Sequence, residues 1–497
     1  MKSRTLTWII AITLLTTLAI PPRFAAQDQK KTHHHYKLVD MGTFGGPESY
    51  LVTGSGQDFV GSSVLNGGGT VAGFADTSLP DPFPNFCFSD CLVAHSFQAG
   101  SGGVLTDLGA LPGGGSSAPI WITANGLIGG VSENGQTDPL YPGGFPENHA
   151  VLWQQGTILD LGTLPDGGYQ SEANAVNNSG QVVGTALNTT ADANSMAVGN
   201  YWYFDVPYGY QERAFLWDQE QGMQDLGTLG GADAEALFIN ERGQVVGHSY
   251  TGSTASSLCQ YPLLTDSFIW EKNTGMVDLG TLGGTCTEAT DLNQKGQVVG
   301  SSNLAGDQSQ HAFLWSHGAI HDLGGSLGGS FLGAYGVNEY GEAAGYAYHP
   351  DNTIFHAVLW RGIGQMTDLG VIGDDQCSYA AVINASEQVA GSSISSCTTE
   401  EPAFRAFLWE DGSIFDLNTL IPPGSALYLQ VVQAINDRGE VAGQGVDSSG
   451  NNHAFLLIPC DGSHPGVEGC DYSLADESTA ASSARPRYSP SGSPRMR

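Results

Sequence analysis

Three pairs of neighbouring acidic residues interrupt the otherwise regular pattern of this chain and could do chemistry. Close carboxylates combined with backbone oxygens can hold Ca²⁺, and two carboxyl groups can serve as the acid and base of a glycosidase. No calcium-loop ligand spacing accompanies the pairs, and in a chain with 50 acidic residues some pairs arise by chance. We therefore predict no catalytic residue and no resident cofactor, with Ca²⁺ at the third pair as the alternative. The pairs are Asp233 and Glu235, Glu288 and Asp291, and Asp374 and Asp375.

A dense run of aromatic residues is the second feature with chemical potential, and we predict it to be the ligand-binding segment. Aromatic faces give a large apolar contact at low entropic cost, which suits sugar rings or peptide side chains. The alternative is that a long insertion needs a small core of its own in order to pack on the rest of the fold. The run consists of Tyr201, Trp202, Tyr203, Phe204, Tyr208 and Tyr210.

The charge of the chain restricts its partners. The 497 residues carry a net charge of −33, and a field of this sign repels a phosphate backbone, so we expect no nucleic-acid partner. Cations, neutral glycans and basic protein surfaces remain. The acidity does not predict disorder, because 40% of the residues are hydrophobic and recur in a regular pattern.

A unit of four short segments recurs about eight times between residues 36 and 459, and this unit must position the candidate residues. In the copy that spans residues 311–345 the segments are HAFLW, a segment that ends in Asp-Leu-Gly, one that ends in Val-Asn, and one that ends in an invariant Gly. Each is rich in β-branched and aromatic residues and is bounded by Gly or Asn, which is typical of short strands. The Asn-x-x-Gly step suits a tight turn, because the Asn side chain can bond the backbone two residues on.

Four antiparallel strands in each unit predict an all-β fold, a β-propeller of about eight four-stranded blades, with seven blades as the alternative. The first unit begins at its second segment, 37–40, and the last unit ends after its first, 453–457. Pairing of these N- and C-terminal strands would close the ring and remove two exposed sheet edges. The tight turns then share one face, and the long insertions share the other, where we expect functional residues.

The most regular residues of the unit have structural explanations. Trp ends the first segment in six units, which suits packing between blades. The His that opens the segment is replaced by Arg213, Asp266 and Arg405 in other units, so a polar role at the strand start fits better than a ligand or a base. We expect the Asp of Asp-Leu-Gly to cap a turn.

The combination HAFLW…DLGTLGG…IN..GQVVG resembles the HAF-repeat family of probable extracellular bacterial repeat proteins, with His-Ala-Phe at 311–313 here. The resemblance covers roughly residues 36–458. It implies an exported repeat protein of unassigned activity, and it supplies no functional residues to carry over. Thr123 in place of the turn Asn and Glu387 in place of the turn Gly depart from the pattern.

The chain ends predict export. Residues 1–26 have the charged start and apolar run of a signal peptide, and 27–35 form a leader, so we expect a secreted, extracellular, periplasmic or cell-surface protein with no membrane span after cleavage. The propeller occupies 36–459, and 460–497 is a disulfide-linked and then disordered tail. Eight cysteines in an exported chain favour disulfides between neighbours. The predicted pairs are Cys87–Cys91, Cys259–Cys286, Cys377–Cys397 and Cys460–Cys470.

From these features we expect an exported, non-enzymatic, monomeric scaffold that binds glycans or cell-surface proteins through the insertion face. One alternative is a propeller enzyme, a hydrolase or lyase that acts on polysaccharide with loop carboxylates as acid and base. The other is a calcium-stabilised adhesive module.

Overall fold

Each four-segment unit folds as four short antiparallel strands. Side chains alternate between the two faces of each strand, and the backbone groups along its edges pair with the next strand. A computed structural model describes residues 35–51, 63–83, 90–141, 143–165, 167–196, 209–398, 402–468 and 470. Eight such sheets form the blades of a β-propeller, so the predicted fold is confirmed and the seven-blade alternative is wrong.

The blades follow one another along the chain, and each begins with the Val-Asn type of segment rather than with HAFLW. Blade 1 contains β2 (Gly45–Tyr50), β3 (Val71–Pro80), β4 (Leu92–Ala99) and β5 (Thr106–Asp107); blade 2 contains β6 (Ser117–Ile122), β7 (Ile128–Thr137), β8 (Pro146–Gln154) and β9 (Thr157–Asp160); blade 3 contains β10 (Ser171–Val176), β11 (Val182–Ala191), β12 (Tyr210–Asp218) and β13 (Gly222–Asp225); blade 4 contains β14 (Ala234–Ile239), β15 (Val245–Ala255), β16 (Leu263–Glu271) and β17 (Gly275–Asp278).

The second half of the ring has the same order. Blade 5 contains β18 (Gly283–Leu292), β19 (Val298–Leu304), β20 (Gln310–Ser316) and β21 (Ala319–Asp322); blade 6 contains β22 (Leu332–Val337), β23 (Ala343–Tyr348), β24 (Phe355–Trp360) and β25 (Met366–Gly370); blade 7 contains β26 (Cys377–Ile383), β27 (Val389–Ile394), β28 (Phe404–Glu410) and β29 (Ser413–Asp416), followed by a 3₁₀ helix (Leu417–Thr419); blade 8 contains β30 (Tyr428–Ile435), β31 (Val441–Val446), β32 (Asn452–Pro459) and β1 (Tyr36–Asp40).

Blade 8 closes the ring as predicted, by pairing the first strand of the chain with the last. Strand β1 lies antiparallel to β32, with Tyr36 opposite Pro459 and Asp40 opposite Phe455. The pairing satisfies the backbone groups along the facing edges of the two strands, which would otherwise be unpaired. Among the described residues no helix is long and apolar enough to cross a membrane.

The first strand of each blade is the innermost one, since these strands contact each other from blade to blade. The connections therefore sort onto two faces. The turn face carries the Asn-x-x-Gly turns and the turns between the third and fourth strands. The loop face carries the Leu-Gly-Gly loops and the long connections between the second and third strands, as expected from the sequence.

A belt of asparagines joins the blades on the turn face. The Asn293 amide donates to the Asn338 carbonyl of the next blade (3.0 Å), and its Oδ1 accepts the backbone N–H groups of Lys295 and Gln297. The same link to the next blade recurs seven times, from Asn66, Asn177, Asn240, Asn293, Asn338, Asn384 and Asn436. The sequence predicted the role of these asparagines within the turns, but it did not predict their hydrogen bonds to the next blade.

The invariant Gly of the second strand is required by a bulge in the first. In blade 4 the register shifts between Ala236 and Phe238, and this brings the Glu235 carbonyl against Gly247. A Cβ at Gly247 would lie 1.9 Å from that oxygen, far inside any real contact. Bulges of this kind re-aim neighbouring side chains, so the glycine permits the orientation of the residue at position 235.

Candidate functional site

Three consecutive blades place a glutamate at the same point of the innermost strand, close to the loop face. Glu172, Glu235 and Glu288 each precede the alanine that pairs with the invariant Gly, in blades 3, 4 and 5. The equivalent positions in the other blades hold Tyr50, Ala118, Gly333, Tyr379 and Val431. The repeat does not require an acid here, so these three glutamates are departures from the frame.

A histidine joins the central glutamate to the next blade. His248 lies opposite Glu235 on β15, and its Nδ1 donates to Glu235 Oε1 at 2.8 Å. Its Nε2 lies 3.1 Å from the Ala289 carbonyl of blade 5. Donation from both ring nitrogens corresponds to a protonated imidazole. Of the eight blades, blade 4 alone has His at this place in the second strand.

A tyrosine from the long connection of blade 4 completes the contacts of Glu235. The Tyr261 hydroxyl donates to the same Oε1 that accepts from His248. Tyr261 is buried and packs edge-on against Tyr250, with ring centroids 6.4 Å apart. We call Glu172, Glu235, His248, Tyr261 and Glu288 the glutamate cluster.

Burial and mutual charge raise the pKa values of His248, Glu288 and Glu172, but for different reasons. Burial lowers the pKa of His248, but the hydrogen bond and charge of Glu235 outweigh it and the pKa is raised. Burial raises the pKa of Glu288, and the His248 charge offsets part of that rise. Burial, with the Glu235 charge, raises the pKa of Glu172 to about 8. Neither carboxyl oxygen of Glu172 has a hydrogen-bond partner among the described residues.

The Cys259–Cys286 disulfide fixes the cluster from the loop side. The disulfide links the connection in which Tyr261 lies to Cys286 on β18, and Cys286 is two residues before Glu288. This pair, Cys377–Cys397 and Cys460–Cys470 form the predicted disulfides. Cys91 is also disulfide-bonded, and its predicted partner Cys87 lies outside the described residues.

An aromatic group continues from the glutamate cluster into blades 6 and 7. Tyr335 on the innermost strand of blade 6 has its ring centroid 5.2 Å from that of Tyr346 and 6.4 Å from that of Tyr379. Burial raises the pKa of both Tyr335 and Tyr346, and the Glu288 charge contributes to each rise. The tyrosines and Glu288 are therefore close enough to interact.

The three predicted acidic pairs separate in the structure. Glu235 and Glu288, from different pairs, join the same cluster through His248. Asp233 instead accepts from the Met196 backbone and Asp291 from the Val337 backbone, both at 2.8 Å. At the pair predicted to bind metal, Asp374–Asp375, Asp375 faces the Arg405 guanidinium at 3.7 Å. A fixed positive charge at this distance opposes binding of Ca²⁺ by that carboxylate.

The predicted aromatic ligand segment lies mostly outside the described residues, which include only Tyr210 of the six. Tyr210 packs edge-on against Tyr141, with centroids 5.6 Å apart, and both belong to a buried cluster with Phe145. At its C-terminal end, Tyr210, the aromatic run is therefore part of a small local core.

The repeated His and Asp form hydrogen-bonded pairs at the rim of the loop face. His311 Nδ1 lies 2.9 Å from Asp322, whose Oδ1 also accepts from the Gly324 N–H. Where Arg replaces His, the pair persists as Arg213–Asp225 and Arg405–Asp416. The tolerance of Arg agrees with a structural role. The histidine pairs are His95–Asp107, His149–Asp160, His311–Asp322, His356–Asp368 and His453–Asp40.

No protein-family model and no curated protein matches the chain. Solved structures do match at low identity. A Mycobacterium tuberculosis puromycin-hydrolyzing peptidase is 13% identical, with a TM-score of 0.43, and the match covers 80% of this chain but 61% of the peptidase. The β-propeller domain of the Trilobed protease from Pyrococcus furiosus is 11% identical, with a TM-score of 0.37 and coverage of 67% and 93%. An ulvan lyase of polysaccharide lyase family 25 is 10% identical, with a TM-score of 0.32 and coverage of 82% and 95%.

The expectation of a non-enzymatic scaffold is corrected here. The solved structures that match include peptidases and a polysaccharide lyase. The sequence argument had rested on the lack of a recognised catalytic motif. The glutamate cluster draws its members from four separate strands and one connection, and such an arrangement leaves no short sequence motif.

Proposed function

We propose that this chain is an exported glycoside hydrolase that acts on a neutral polysaccharide, with Glu288 as general acid and Glu235 as base or nucleophile. The observation that carries the proposal is that His248 links these two partly buried residues at the loop face of the ring: its Nδ1 donates to Glu235, and its Nε2 lies 3.1 Å from the carbonyl of Ala289, the residue after Glu288. Two carboxyl groups held in unlike environments are the minimal equipment for cleaving a glycosidic bond.

The roles follow from the contacts of each group. Glu235 accepts hydrogen bonds from His248 and Tyr261, and donors of this kind stabilise an ionised carboxylate. Glu288 has a pKa raised by burial, so it keeps its proton to a higher pH and can protonate a leaving oxygen. His248 thus supports Glu235 directly by a hydrogen bond, whereas burial is what keeps the proton on Glu288.

The substrate class follows from charge and from the neighbouring aromatic rings. With a net charge of −33, the protein repels uronate-containing or sulfated chains, which are the usual substrates of elimination chemistry. A neutral glycan avoids this repulsion, and hydrolysis is the reaction open to it. Tyr335, half-buried beside Glu288, offers a ring face on which a sugar can stack.

Export is part of the proposal. The signal-like N-terminus precedes a ring that carries three disulfides between described residues, and such bonds persist in oxidising compartments.

The test is release of reducing sugar from a panel of neutral glucans, xylans, mannans and galactans by the exported chain. We expect turnover on at least one member, and a loss of at least about 100-fold in kcat for Glu288→Gln and for Glu235→Gln, as is typical for general acid or base groups. Glu241→Gln on the turn face, where Glu241 contacts Asn178 of blade 3, is the matched control and should keep full activity.

Two results would overturn the proposal. One is no turnover anywhere on the panel by correctly folded protein. The other is turnover that survives both substitutions within about threefold, because a general acid or base contributes about 100-fold or more.

A further inference from the structure

The His–Asp pair of blade 6 differs from the other four, because a second histidine lies against it. His349, just after β23, packs edge-on against His356, with ring centroids 4.4 Å apart and planes at 74°. One nitrogen of each imidazole and one carboxylate oxygen of Asp368 lie within 4.8 Å of one another. His356 Nδ1 is itself 3.1 Å from both oxygens of Asp368.

The second histidine is not required by the repeat. The blades that carry the same His–Asp pair have Thr77, Asn134, Leu304 and Asp447 at the place of His349. His349 also lacks the polar partner expected of a buried group, because its Nε2 is buried and makes no hydrogen bond with any described residue. An unsatisfied buried ring nitrogen calls for an explanation such as a missing ion.

We propose that His349, His356 and Asp368 form a zinc site on the loop face. Two imidazoles and one carboxylate are a donor set that zinc prefers. Calcium is disfavoured, since it takes six to eight oxygen ligands and this group offers one carboxylate. Zinc–ligand bonds of about 2.0–2.2 Å bring ligand atoms to roughly 3.3 Å apart, so rotation of the two imidazoles closes the group around the ion.

The site opens onto a cavity, which leaves a coordination position for an oxygen ligand. The cavity has a volume of about 630 Å³ and is lined by His349 and His356, together with Asp351, Thr353, Asp375 and Gln376. The Cys377–Cys397 disulfide borders it through Cys397. Three protein ligands with one open position distinguish a reactive zinc site from a closed structural one. This cavity lies between blades 6 and 7, whereas the glutamate cluster spans blades 3 to 5.

Binding would exchange one interaction for another at His356. Its Nδ1 now faces Asp368, and an imidazole must be neutral in order to bind zinc. Metal binding therefore releases protons, and affinity should fall as the pH drops below the titration range of histidine.

The test is isothermal titration of EDTA-treated full-length chain with ZnCl₂ at pH 7.5, and visible absorption with Co²⁺ as a spectroscopic probe. Every sample carries Ser in place of His33, His34 and His35, so that the leader histidines cannot bind metal. We expect one zinc per chain, and a Co²⁺ spectrum typical of imidazole coordination at a four-coordinate site.

Matched variants locate the site. His349→Asn should weaken zinc binding more than about 100-fold, since loss of a direct ligand exceeds the 10–100-fold cost of losing an outer partner. His311→Asn, which alters the equivalent His–Asp pair in blade 5, should leave zinc binding unchanged. Leu304→His places a second imidazole beside the His311–Asp322 pair and should create a second zinc site.

Absence of stoichiometric zinc binding by the folded parent would overturn the proposal, and so would undiminished binding by His349→Asn. Because the readout is metal binding, these outcomes are independent of whether the chain hydrolyses glycans.

Discussion

On the turn face every blade but one repeats the same asparagine, whereas on the loop face the blades carry different side chains at the same positions. The turn-face asparagines are buried and use both amide atoms, each linking its own turn to the next blade. On the loop face, three glutamates in a row occupy a position that has no acid in the other blades, and one of five His–Asp pairs gains a second histidine.

The contrast teaches where to look for function in a repeat protein. Positions that hold the ring together must repeat, because each blade makes the same contact with its neighbour. A reacting group needs no copy in other blades, so it is free to appear once. Thr123, the exception on the turn face, keeps the link by a different route, since Asn125 two residues on donates to Asn178 of the next blade.

The largest expected effect is on the turn face. Asn293→Ala removes two donated and two accepted hydrogen bonds from a buried position, and buried groups left unsatisfied cost about 1–3 kcal/mol each. We expect a loss of about 4 kcal/mol in the free energy of unfolding, measured by urea titration, without a change in zinc binding.

Lys295→Ala is the control for this experiment, because Lys295 lies in the same turn with an exposed side chain. It should change stability by no more than about 0.5 kcal/mol. An equally small change in stability for Asn293→Ala would contradict the conclusion that the turn-face asparagines hold the ring together.

The next largest effect is on the loop face. Replacing Cys259 and Cys286 with Ser opens a loop of 27 residues, which costs about 3.5 kcal/mol if the chain-entropy account holds. Because the disulfide also fixes Tyr261 and Glu288, glycan turnover measured at a temperature where the variant is fully folded should fall at least tenfold. The same change at Cys460 and Cys470, remote from the glutamate cluster in the fold, should leave turnover intact; a loss there would argue against local positioning.

The smallest effect is a pH dependence. Glu172 has a folded-state pKa of about 8 against an ordinary value of 4.5, because of burial and then the Glu235 charge. Above pH 4.5 the unfolded chain releases this proton while the folded chain keeps it, so stability falls as the pH rises towards 8. Between pH 6 and pH 7 the loss is about 1.4 kcal/mol.

Glu172→Gln should reduce the slope between pH 6 and pH 7 by about 1.4 kcal/mol per pH unit, leaving the share of the other buried carboxyls and the pH dependence below pH 4.5 unchanged, as followed by urea unfolding at each pH. Glu241→Gln, at an exposed site, is the control and should retain the parental slope. A parental slope in Glu172→Gln would mean that this carboxyl is already ionised in the folded protein.

Much of the frame was predictable from residue patterns alone. The strands, the closure of the ring and the sorting of connections onto two faces follow from alternation, from Asn-x-x-Gly turns and from the incomplete first and last units. Only part of the glutamate cluster could be predicted from the sequence. Glu235 and Glu288 stood out as acidic residues, but His248 and Tyr261 join them through the pairing of β14 with β15 and through a disulfide-held connection.

One signal could have revealed more. Aligning the units column by column places Glu172, Glu235 and Glu288 at one position in three successive copies, whereas the other copies lack an acid there. The same alignment sets His349 against Leu304. The invariant Gly marks the bulge, but neither the side chains that the bulge orients nor the edge-on packing of His349 against His356 can be read from the sequence, because both depend on how the strands and loops pack in three dimensions.

The pairing of β1 with β32 also sets the order of events in folding. The first strand to emerge is the outer strand of the last blade, and its partner, Asn452–Pro459, is made more than four hundred residues later. Blades 1 to 7 can each form from contiguous chain, but the ring stays open until β32 has been made. Contacts of such long sequence separation form slowly, and the unpaired edges of β1 and β31 are exposed meanwhile. The vulnerable period for aggregation is thus the interval before β32 is made, when seven blades are present and the ring that they belong to is still open.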